Sequence, residues 1–230
     1  MKTIGLIGGM SWESSLEYYR IINEQVKNKL GGLHSAKSLM YSVDFDEIEK
    51  LQHQGKWDQL TKIMINAAQN LEKGGADFVL ICTNTMHKMA DDVQKNINIP
   101  LLHLADTTAE IIKSRKMKKI GLLGTNFTME EDFYKGRLIQ KYGLDVIVPD
   151  KEDRKVIHNV IYQELCLGNI KKSSKDQYVE IINKLVDSGA EAVILGCTEI
   201  PLLVKQEDVE IPLLDTTRIH AETAVEYSLK

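Results

Sequence analysis

The sequence predicts an α/β protein made of two pseudo-symmetric domains, each a parallel sheet flanked by helices. Three short apolar segments recur in the same order in the second half, and they begin at Met1 and Met117, Gly75 and Gly189, and Ile99 and Ile211. Their offsets of 116, 114 and 112 residues are nearly constant, which is hard to obtain by chance. Each segment is apolar throughout, as expected of a strand buried on both faces of a sheet. Helical patterns separate the segments, and this alternation is typical of parallel sheets covered by helices.

The helical patterns also predict the domain boundaries. Amphipathic stretches lie at residues 14–30 and 58–71 in the first half and at 153–167 and 174–185 in the second. The final stretch, residues 215–230, reads as one more helix without a partner in the second half. We therefore predict a first domain of residues 1–114 plus 210–230 and a second domain of residues 115–209.

Composition narrows the possible partners. The 230 residues carry a net charge of −4, and the basic residues are scattered, so we expect neither nucleic acid nor a membrane as partner. No apolar run approaches the length of a membrane helix. Three cysteines, an odd number, do not suggest a disulfide framework, and we expect a cytoplasmic, reducing setting. The six histidines are too dispersed to suggest a metal site.

Residues that follow the predicted strands are the candidates for function, because parallel α/β sheets bind ligands beyond the carboxyl ends of their strands. Cys197 is the strongest candidate, since it ends an apolar strand and is followed by Thr198 and Glu199. A free thiol has a pKa of about 8.5, and only the thiolate is a useful base. We expect backbone amides at the strand end and a helix N-terminus to favour ionisation of this thiol.

The internal repeat distinguishes two neighbouring candidates in the first half. At the offset of 114, Cys197 aligns with Thr83, whereas Cys82 aligns with Gly196. Side chains alternate between the two faces of a strand, so Cys82 and Thr83 should not face the same cavity. We therefore predict that Cys82 is a packed strand residue and that Thr83 faces the ligand.

Four motifs resemble those of the aspartate/glutamate racemase superfamily along nearly the whole chain. They are Gly8-Gly9-Met10-Ser11, Asn84-Thr85-Met86-His87, Gly196-Cys197-Thr198-Glu199, and Asp215-Thr216-Thr217 with the nearby Ile219-His220-Ala221. The resemblance implies a substrate bound at the interface of the two domains, no cofactor, no pyridoxal phosphate and no metal. It also implies a homodimer and a small amino-acid substrate. In this family one residue from each half transfers a proton on opposite faces of the substrate Cα, because inversion requires proton delivery from the far side.

The sequence departs from the usual family pattern at two positions. Thr83 stands where the first catalytic cysteine usually lies, and this resembles a subgroup with a Thr/Cys pair that prefers L-substrates. Cys166 stands near the usual position of a lysine that meets the distal carboxylate of the substrate, and Gln52 is then the candidate by resemblance. With Thr83 and Cys197 as the catalytic pair, the expected substrate-binding residues are Met10, Gln52, Asn84, Thr85, Thr125, Thr198 and Glu199.

The function expected from these residues is a cofactor-independent racemase of aspartate and/or glutamate. Two alternatives remain at this point. One is another isomerase of the superfamily, of the hydantoin racemase or maleate isomerase type, which would use similarly placed thiols. The other is a non-catalytic protein that binds an amino acid or a dicarboxylate, since Thr83 replaces one of the two bases.

Overall fold

A computed structural model describes all residues 1–230, and the chain divides into two compact units. The first unit comprises Met1–Leu104 and His220–Lys230, and the second comprises Ala105–Ile219. Each unit contains one parallel sheet with helices packed on it, which is the predicted fold class. No helix has both the length and the apolar character needed to cross a membrane.

The first unit is built on a three-stranded sheet in the order β2-β1-β3. Its strands are β1 (Ile4–Gly8), β2 (Ser38–Ser42) and β3 (Phe78–Ile81), and its helices are α1 (Trp12–Leu30), α2 (Phe45–His53), α3 (Trp57–Lys73) and α4 (Ala90–Lys95), with a 3-10 turn at Thr85–Met89. The segment predicted to be a strand at 99–102 forms only a single bridge, between Val79 and Leu101. Pro100 has no N–H to donate to a ladder, which favours this short pairing.

The alternation of side chains along β1 and β3 produces two separate apolar clusters. Ile7, Val79 and Ile81 pack with residues of α2 and α3 on one face of the sheet. The alternate residues, including Leu6 and Leu80, pack with α1 and with the C-terminal helix on the other face. Both faces are therefore covered, which explains why these strands are apolar throughout.

The second unit is built on a four-stranded sheet in the order β5-β4-β6-β7. Its strands are β4 (Lys119–Gly124), β5 (Asp145–Ile147), β6 (Ala192–Gly196) and β7 (Leu213–Asp215). Its helices are α5 (Leu104–Ser114), α6 (Asn126–Glu130), α7 (Lys135–Tyr142), α8 (Lys151–Gln163), α9 (Lys172–Asp187) and α10 (Ile200–Leu203), with 3-10 turns at Leu165–Leu167 and Gln206–Asp208. Helix α5 begins at the last residue of the first unit. The last helix, α11 (Thr216–Leu229), begins in the second unit and continues in the first.

The boundaries of the two units differ from the predicted 114/115 and 209/210 because of two local interactions. Asp106 on α5 forms ion pairs with Arg137 and Lys141 on α7, and these bonds tie α5 to the second unit. Strand β7 pairs with β6, so the second unit extends past residue 209. The chain returns to the first unit within α11, where Ala221 packs in the same cluster as Leu6 and Leu80.

Candidate active site

Cys197 lies directly after β6, a strand in which every residue is buried. The residue before it must be glycine, because a Cβ at Gly196 would lie 2.6 Å from the carbonyl oxygen of Leu123 on the neighbouring strand. This close approach of β4 and β6 fixes the backbone at the point where the thiol begins. Cys197 is 9% exposed, so its surroundings rather than bulk water determine its ionisation.

A carboxylate is the direct partner of this thiol. Cys197 Sγ lies 2.9 Å from Glu199 Oε2, to which it donates a hydrogen bond. Thr198 Oγ1 donates to the same oxygen at 2.9 Å. Glu199 is 3% exposed, so the thiol, the hydroxyl and the carboxylate form one buried group at the carboxyl end of β6. The arrangement can pass a proton between sulfur and carboxylate.

The expectation that the site favours the thiolate is wrong for the protein without substrate. Burial raises the pKa of Cys197 well above its ordinary value, and the negative charge of Glu199 and the nearby Cys166 raise it further. The helix that follows, α10, has only four residues, so its dipole is too small to oppose these effects. The thiol is therefore protonated at neutral pH in the protein without substrate.

The equivalent point in the first unit contains two residues with different surroundings. Cys82 is 1% exposed and packs in the cluster with Leu6 and Leu80, and burial raises the pKa of its thiol far above the ordinary range. This agrees with the alignment of Cys82 with Gly196. Thr83 is the next residue and is only partly buried. Ser14 Oγ on α1 donates to the carbonyl oxygen of Cys82 at 3.3 Å, so the first turn of α1 lies beside this strand end.

A buried histidine holds the backbone of Thr83. His87 Nδ1 lies 2.8 Å from the carbonyl oxygen of Thr83, and its Nε2 accepts from the backbone N–H of Leu104 at 3.2 Å. A carbonyl can only accept, so Nδ1 carries the proton and the ring is neutral. Both ring nitrogens thus bond to backbone, and His87 positions the turn that begins with Thr83.

The glycine turn after β1 is a tightly packed part of the first unit. Gly9 has φ +89°, and a Cβ there would lie 2.2 Å from the carbonyl oxygen of Val43. The Gly9 N–H donates to Ser15 Oγ at 2.8 Å. Met10, expected to bind substrate, packs in the cluster with Ile7 and is 3% exposed. Its side chain is therefore packed in the apolar core of the first unit.

The other expected binding residues are all buried, and all except Gln52 follow the end of a strand. Gln52, at the end of α2, donates from Nε2 to Met86 Sδ at 3.1 Å, which places it against the turn that begins at Asn84 and Thr85. Thr125 follows β4 and caps α6, with its Oγ1 accepting from the N–H of Thr128 at 3.3 Å. No three His, Cys, Asp or Glu side chains are grouped so that they could hold a metal ion.

Comparisons with known proteins identify the class of this site. The chain is 26% identical to the broad specificity amino-acid racemase RacX of Bacillus subtilis over 96% of both chains. A crystal structure of a candidate Asp/Glu racemase from Yersinia pestis is 53% identical, covers 100% of both chains and has a TM-score of 0.93. An aspartate racemase homologue from Pyrococcus horikoshii is 39% identical over 100% of both chains, with a TM-score of 0.87. Fold and site together define an isomerase of the racemase class.

The family follows from the sequence profile. The profile of the Asp/Glu/Hydantoin racemase family matches residues 7–224, and the chain belongs to this family. The matched range includes both strand ends described above, with Thr83 and Cys197. The predicted superfamily and the predicted fold are thereby confirmed.

Proposed function

We propose that the protein is a cofactor-independent racemase of aspartate and/or glutamate, in which Cys197 acts on the L-enantiomer and Thr83 acts from the opposite face of Cα. The observation that carries this proposal is the 2.9 Å contact between Cys197 Sγ and Glu199 Oε2. It gives a buried thiol a proton acceptor of its own. A structural cysteine in a core, such as Cys82, has no such acceptor.

The proton balance of the Cys197–Glu199 pair follows from this geometry. Transfer of the thiol proton to Glu199 Oε2 gives a thiolate and a carboxylic acid, and the charge of the pair stays at −1. The thiolate then takes the α-proton of the L-substrate, and the electron pair of the broken C–H bond moves onto the substrate's α-carboxylate. Oriented donors around that carboxylate stabilise the charge that develops on it. After reprotonation of Cα, Glu199 releases one proton to solvent.

Thr83 supplies the proton on the other face of Cα. Its hydroxyl donates to the carbanion directly or relays a proton through water, and it regains a proton from solvent. A hydroxyl is a far weaker acid and base than a thiol. Removal of the α-proton by Thr83, which acts on the D-enantiomer, is therefore slower than its removal by Cys197 from the L-enantiomer. The bonds of His87 to the backbone at Thr83 and Leu104 hold this residue in place.

Gln52 is the proposed partner of the distal carboxylate. Its Nε2 donates to the thioether of Met86, which is a weak acceptor. A carboxylate would be a stronger acceptor for the same N–H group. The preference for a dicarboxylic amino acid would then come from an uncharged donor, in place of the lysine that Cys166 replaces.

The test is proton NMR in D₂O with each enantiomer of aspartate and of glutamate and no added cofactor. We expect loss of the Cα–H signal from the L-enantiomers and slow formation of the D-enantiomer. EDTA or pyridoxal phosphate should change neither rate. Binding of the amino acids without exchange at Cα would indicate a binding protein. Turnover only of a hydantoin or of maleate would indicate a different isomerase of the family.

The family resemblance also implies a homodimer, and this is part of the proposal. Sedimentation equilibrium at micromolar protein concentration measures the mass directly. A monomer mass under conditions in which the protein racemises aspartate would remove the dimer from the proposal and leave the chemistry intact.

A further inference from the structure

Exposed apolar side chains of the first unit are concentrated around helix α1. Apart from Met1, every large apolar side chain that this unit exposes lies between residues 12 and 40. We refer to these residues as the α1 face, and they are Trp12, Leu16, Tyr19, Leu30, Leu33 and Met40. Single exposed apolar residues are normal on a protein surface, whereas a concentration of them is typical of an interaction site.

Four of these side chains form a stripe along α1. Trp12, Leu16, Tyr19 and Leu30 follow one another at spacings of 4, 3 and 11 residues. With about 100° of rotation per residue, they lie within roughly 60° of one another around the helix axis. They are 43% to 65% exposed, whereas the inward side of the same helix packs in the core of the unit. Helix α1 therefore has a second apolar side, and this side is open to solvent.

The segment after α1 extends the stripe. The backbone N–H of Ala36 donates to Asn23 Oδ1 at 3.0 Å, and Asn23 lies on the stripe between Tyr19 and Leu30. The segment therefore folds back along the helix. Leu33 lies within this segment and is 103% exposed, so its whole side chain is available for contact.

Strand β2 borders the stripe near the start of α1. It is an edge strand, because the sheet order is β2-β1-β3. Met40 Sδ on β2 lies 3.4 Å from the position that a Cβ on Gly8 would occupy, and Ser15 Oγ on α1 lies 2.7 Å from the same position. Met40 is therefore beside the first turns of α1, and it joins the edge of the sheet to the α1 face.

The area of the α1 face is close to what one protomer contributes to a stable dimer. A fully exposed large side chain presents about 200 Å², so the exposed fractions of the six residues correspond to roughly 700 Å². The largest apolar patch of a typical monomer covers only about 300–600 Å². A standard protein–protein interface takes about 800 Å² from each partner. A surface of this size is matched by another protein and not by a small ligand.

The charges of α1 favour a second copy of the same chain as that protein. Arg20 forms ion pairs with Glu17 at 2.6 Å and with Glu24 at 2.7 Å, so these charges are already paired within the helix. No residue of the α1 face is charged. A two-fold dimer brings identical surfaces together, and like charges on those surfaces would repel. The uncharged α1 face meets its own copy without this cost.

We infer that the α1 face binds the α1 face of a second copy, so that two α1 helices pack against each other across a two-fold axis. This inference rests on the homodimer that is part of the proposed function, and it adds the surface that forms the dimer. Each residue of the face is used twice in such a dimer, so one substitution acts at two places in the interface.

Sedimentation equilibrium of the wild type and of Leu16→Glu tests the inference. At about 50 µM we expect a dimer mass for the wild type, because interfaces of this size dissociate at micromolar concentrations or lower. Glutamate at position 16 places two unpaired carboxylates in an apolar interface. The dissociation constant of the dimer should therefore rise by about 100-fold or more. An unchanged dissociation constant overturns the inference.

The matched control is Ile139→Glu on α7. Ile139 is also an exposed apolar residue of a helix, at 42%, but it belongs to the second unit. This variant should keep the dissociation constant of the wild type, and far-UV circular dichroism should show that both variants are folded. Equal weakening by the two substitutions would mean that added charge and not the α1 face controls association, and it overturns the inference.

Trp12 reports on the face without any substitution in it. The chain has two tryptophans, so Trp57→Phe leaves Trp12 as the sole one. Dilution of this protein through its dissociation constant should shift the emission of Trp12 to longer wavelength, because the indole moves from an apolar interface into water. Emission that stays constant while the mass falls to that of a monomer places the interface elsewhere and overturns the inference.

The outcomes also separate this inference from the racemase activity, which Cα–H exchange measures independently. A dimer that Leu16→Glu dissociates, in a protein without exchange at Cα, supports the α1 face and contradicts the racemase. A dimer that persists in Leu16→Glu keeps the homodimer and overturns its assignment to α1. A wild type that racemises aspartate as a monomer at about 50 µM overturns the inference, keeps the racemase and leaves the face to a different protein.

Discussion

The first and second units place different groups at equivalent ends of equivalent strands. Strand β3 of the first unit leads to Cys82, which packs in a core, and then to Thr83. Strand β6 of the second unit leads to Gly196 and then to Cys197, which bonds to Glu199. A shift of one position along a strand moves a side chain from one face to the other. The two cysteines are chemically identical, and their position relative to the strand end decides that one is structural and the other a candidate base.

The largest expected effect is on the rate of Cα–H exchange, which Cys197→Ser should lower far more than Cys82→Ala. Serine is nearly isosteric but does not ionise at neutral pH, so Cα–H exchange from L-aspartate should fall by about 10³-fold. Cys82→Ala should keep exchange within a few-fold and lower the free energy of unfolding by about 1 kcal/mol. Exchange in D₂O and urea unfolding measure the two quantities. Equal losses of exchange in two folded variants would show that the cysteines do not differ in role.

The second test makes the two strand ends more alike. Thr83→Cys adds a thiol at the position equivalent to Cys197 with little change in volume. In the wild type we expect exchange from the L-enantiomer to be much faster than from the D-enantiomer. The variant should raise exchange from D-aspartate by about 10²-fold, the lower end of a typical general-base contribution. The equilibrium constant between enantiomers is one in both proteins, so only rates can differ. Equal exchange from both enantiomers in the wild type would contradict the assigned roles.

A third difference between the units lies in their buried histidines. His87, His103 and His220 are all in the first unit. His220 lies against Tyr18 and His87, with Nδ1 2.9 Å from Tyr18 Oη and Nε2 2.9 Å from the carbonyl oxygen of Leu102. Burial, and then the nearby His87, lowers the pKa of His220 from 6.5 to about 3.

This depressed pKa predicts loss of stability in mild acid. Below pH 6.5 the unfolded chain binds a proton that folded His220 does not, so stability is present above that pH and is lost as the pH falls toward 3. Between pH 7 and pH 5 the contribution is about 2 kcal/mol. We measure the free energy of unfolding with urea at both pH values. Between pH 7 and pH 5 it should decrease by about 2 kcal/mol less for His220→Gln than for the wild type. The same decrease in both proteins would show that His220 does not titrate in this way.

The smallest expected effect concerns the reactivity of the two thiols. Glu199→Gln removes the negative charge beside Cys197 and should lower the pKa of that thiol. Alkylation of Cys197 by iodoacetamide at pH 8 should then be about tenfold faster, because the thiolate is the reacting form. Peptide mass spectrometry follows Cys82 in the same sample, and its alkylation should stay slow. A Cys197 rate that does not respond would mean that burial alone controls its ionisation.

Much of the fold could be predicted from the sequence, because the internal repeat marks the central strands of both sheets. Strands β1, β3, β4 and β6 all lie within the predicted apolar segments or end one residue beyond them. The apolar pattern does not distinguish a strand from an isolated bridge. Residues 99–102 and 211–214 have similar sequences, but the first segment forms only a bridge and the second contributes to strand β7. Strand β5 has only three residues, and the apolar run at 146–148 is too short to distinguish a strand from a loop.

The sequence was enough to place Cys197 at a strand end and Cys82 in a core, but not to predict the electrostatics around Cys197. The repeat and the strand-end rule pointed to Cys197 and away from Cys82 without coordinates. Sequence cannot show how deeply the thiol is buried or that Glu199 turns back onto it, and burial together with this contact raises the pKa that was expected to be lowered. Sequence also cannot predict that the buried oxygens of Asn126 and Thr217 have no hydrogen-bond partner, because this depends on packing and not on residue type.

The bonds of His87 have a spectroscopic consequence. Its Nδ1–H bonds to the carbonyl oxygen of Thr83, whereas in His220 the bond to a carbonyl is made by Nε2. The first unit therefore contains two imidazoles in opposite tautomeric forms, each with a ring N–H shielded from water. Such protons exchange slowly and give separate downfield resonances, and ¹⁵N shifts distinguish the two forms. The resonance of His87 then reports directly on the order of the turn at Thr83, in solution and without a chemical probe attached to the site.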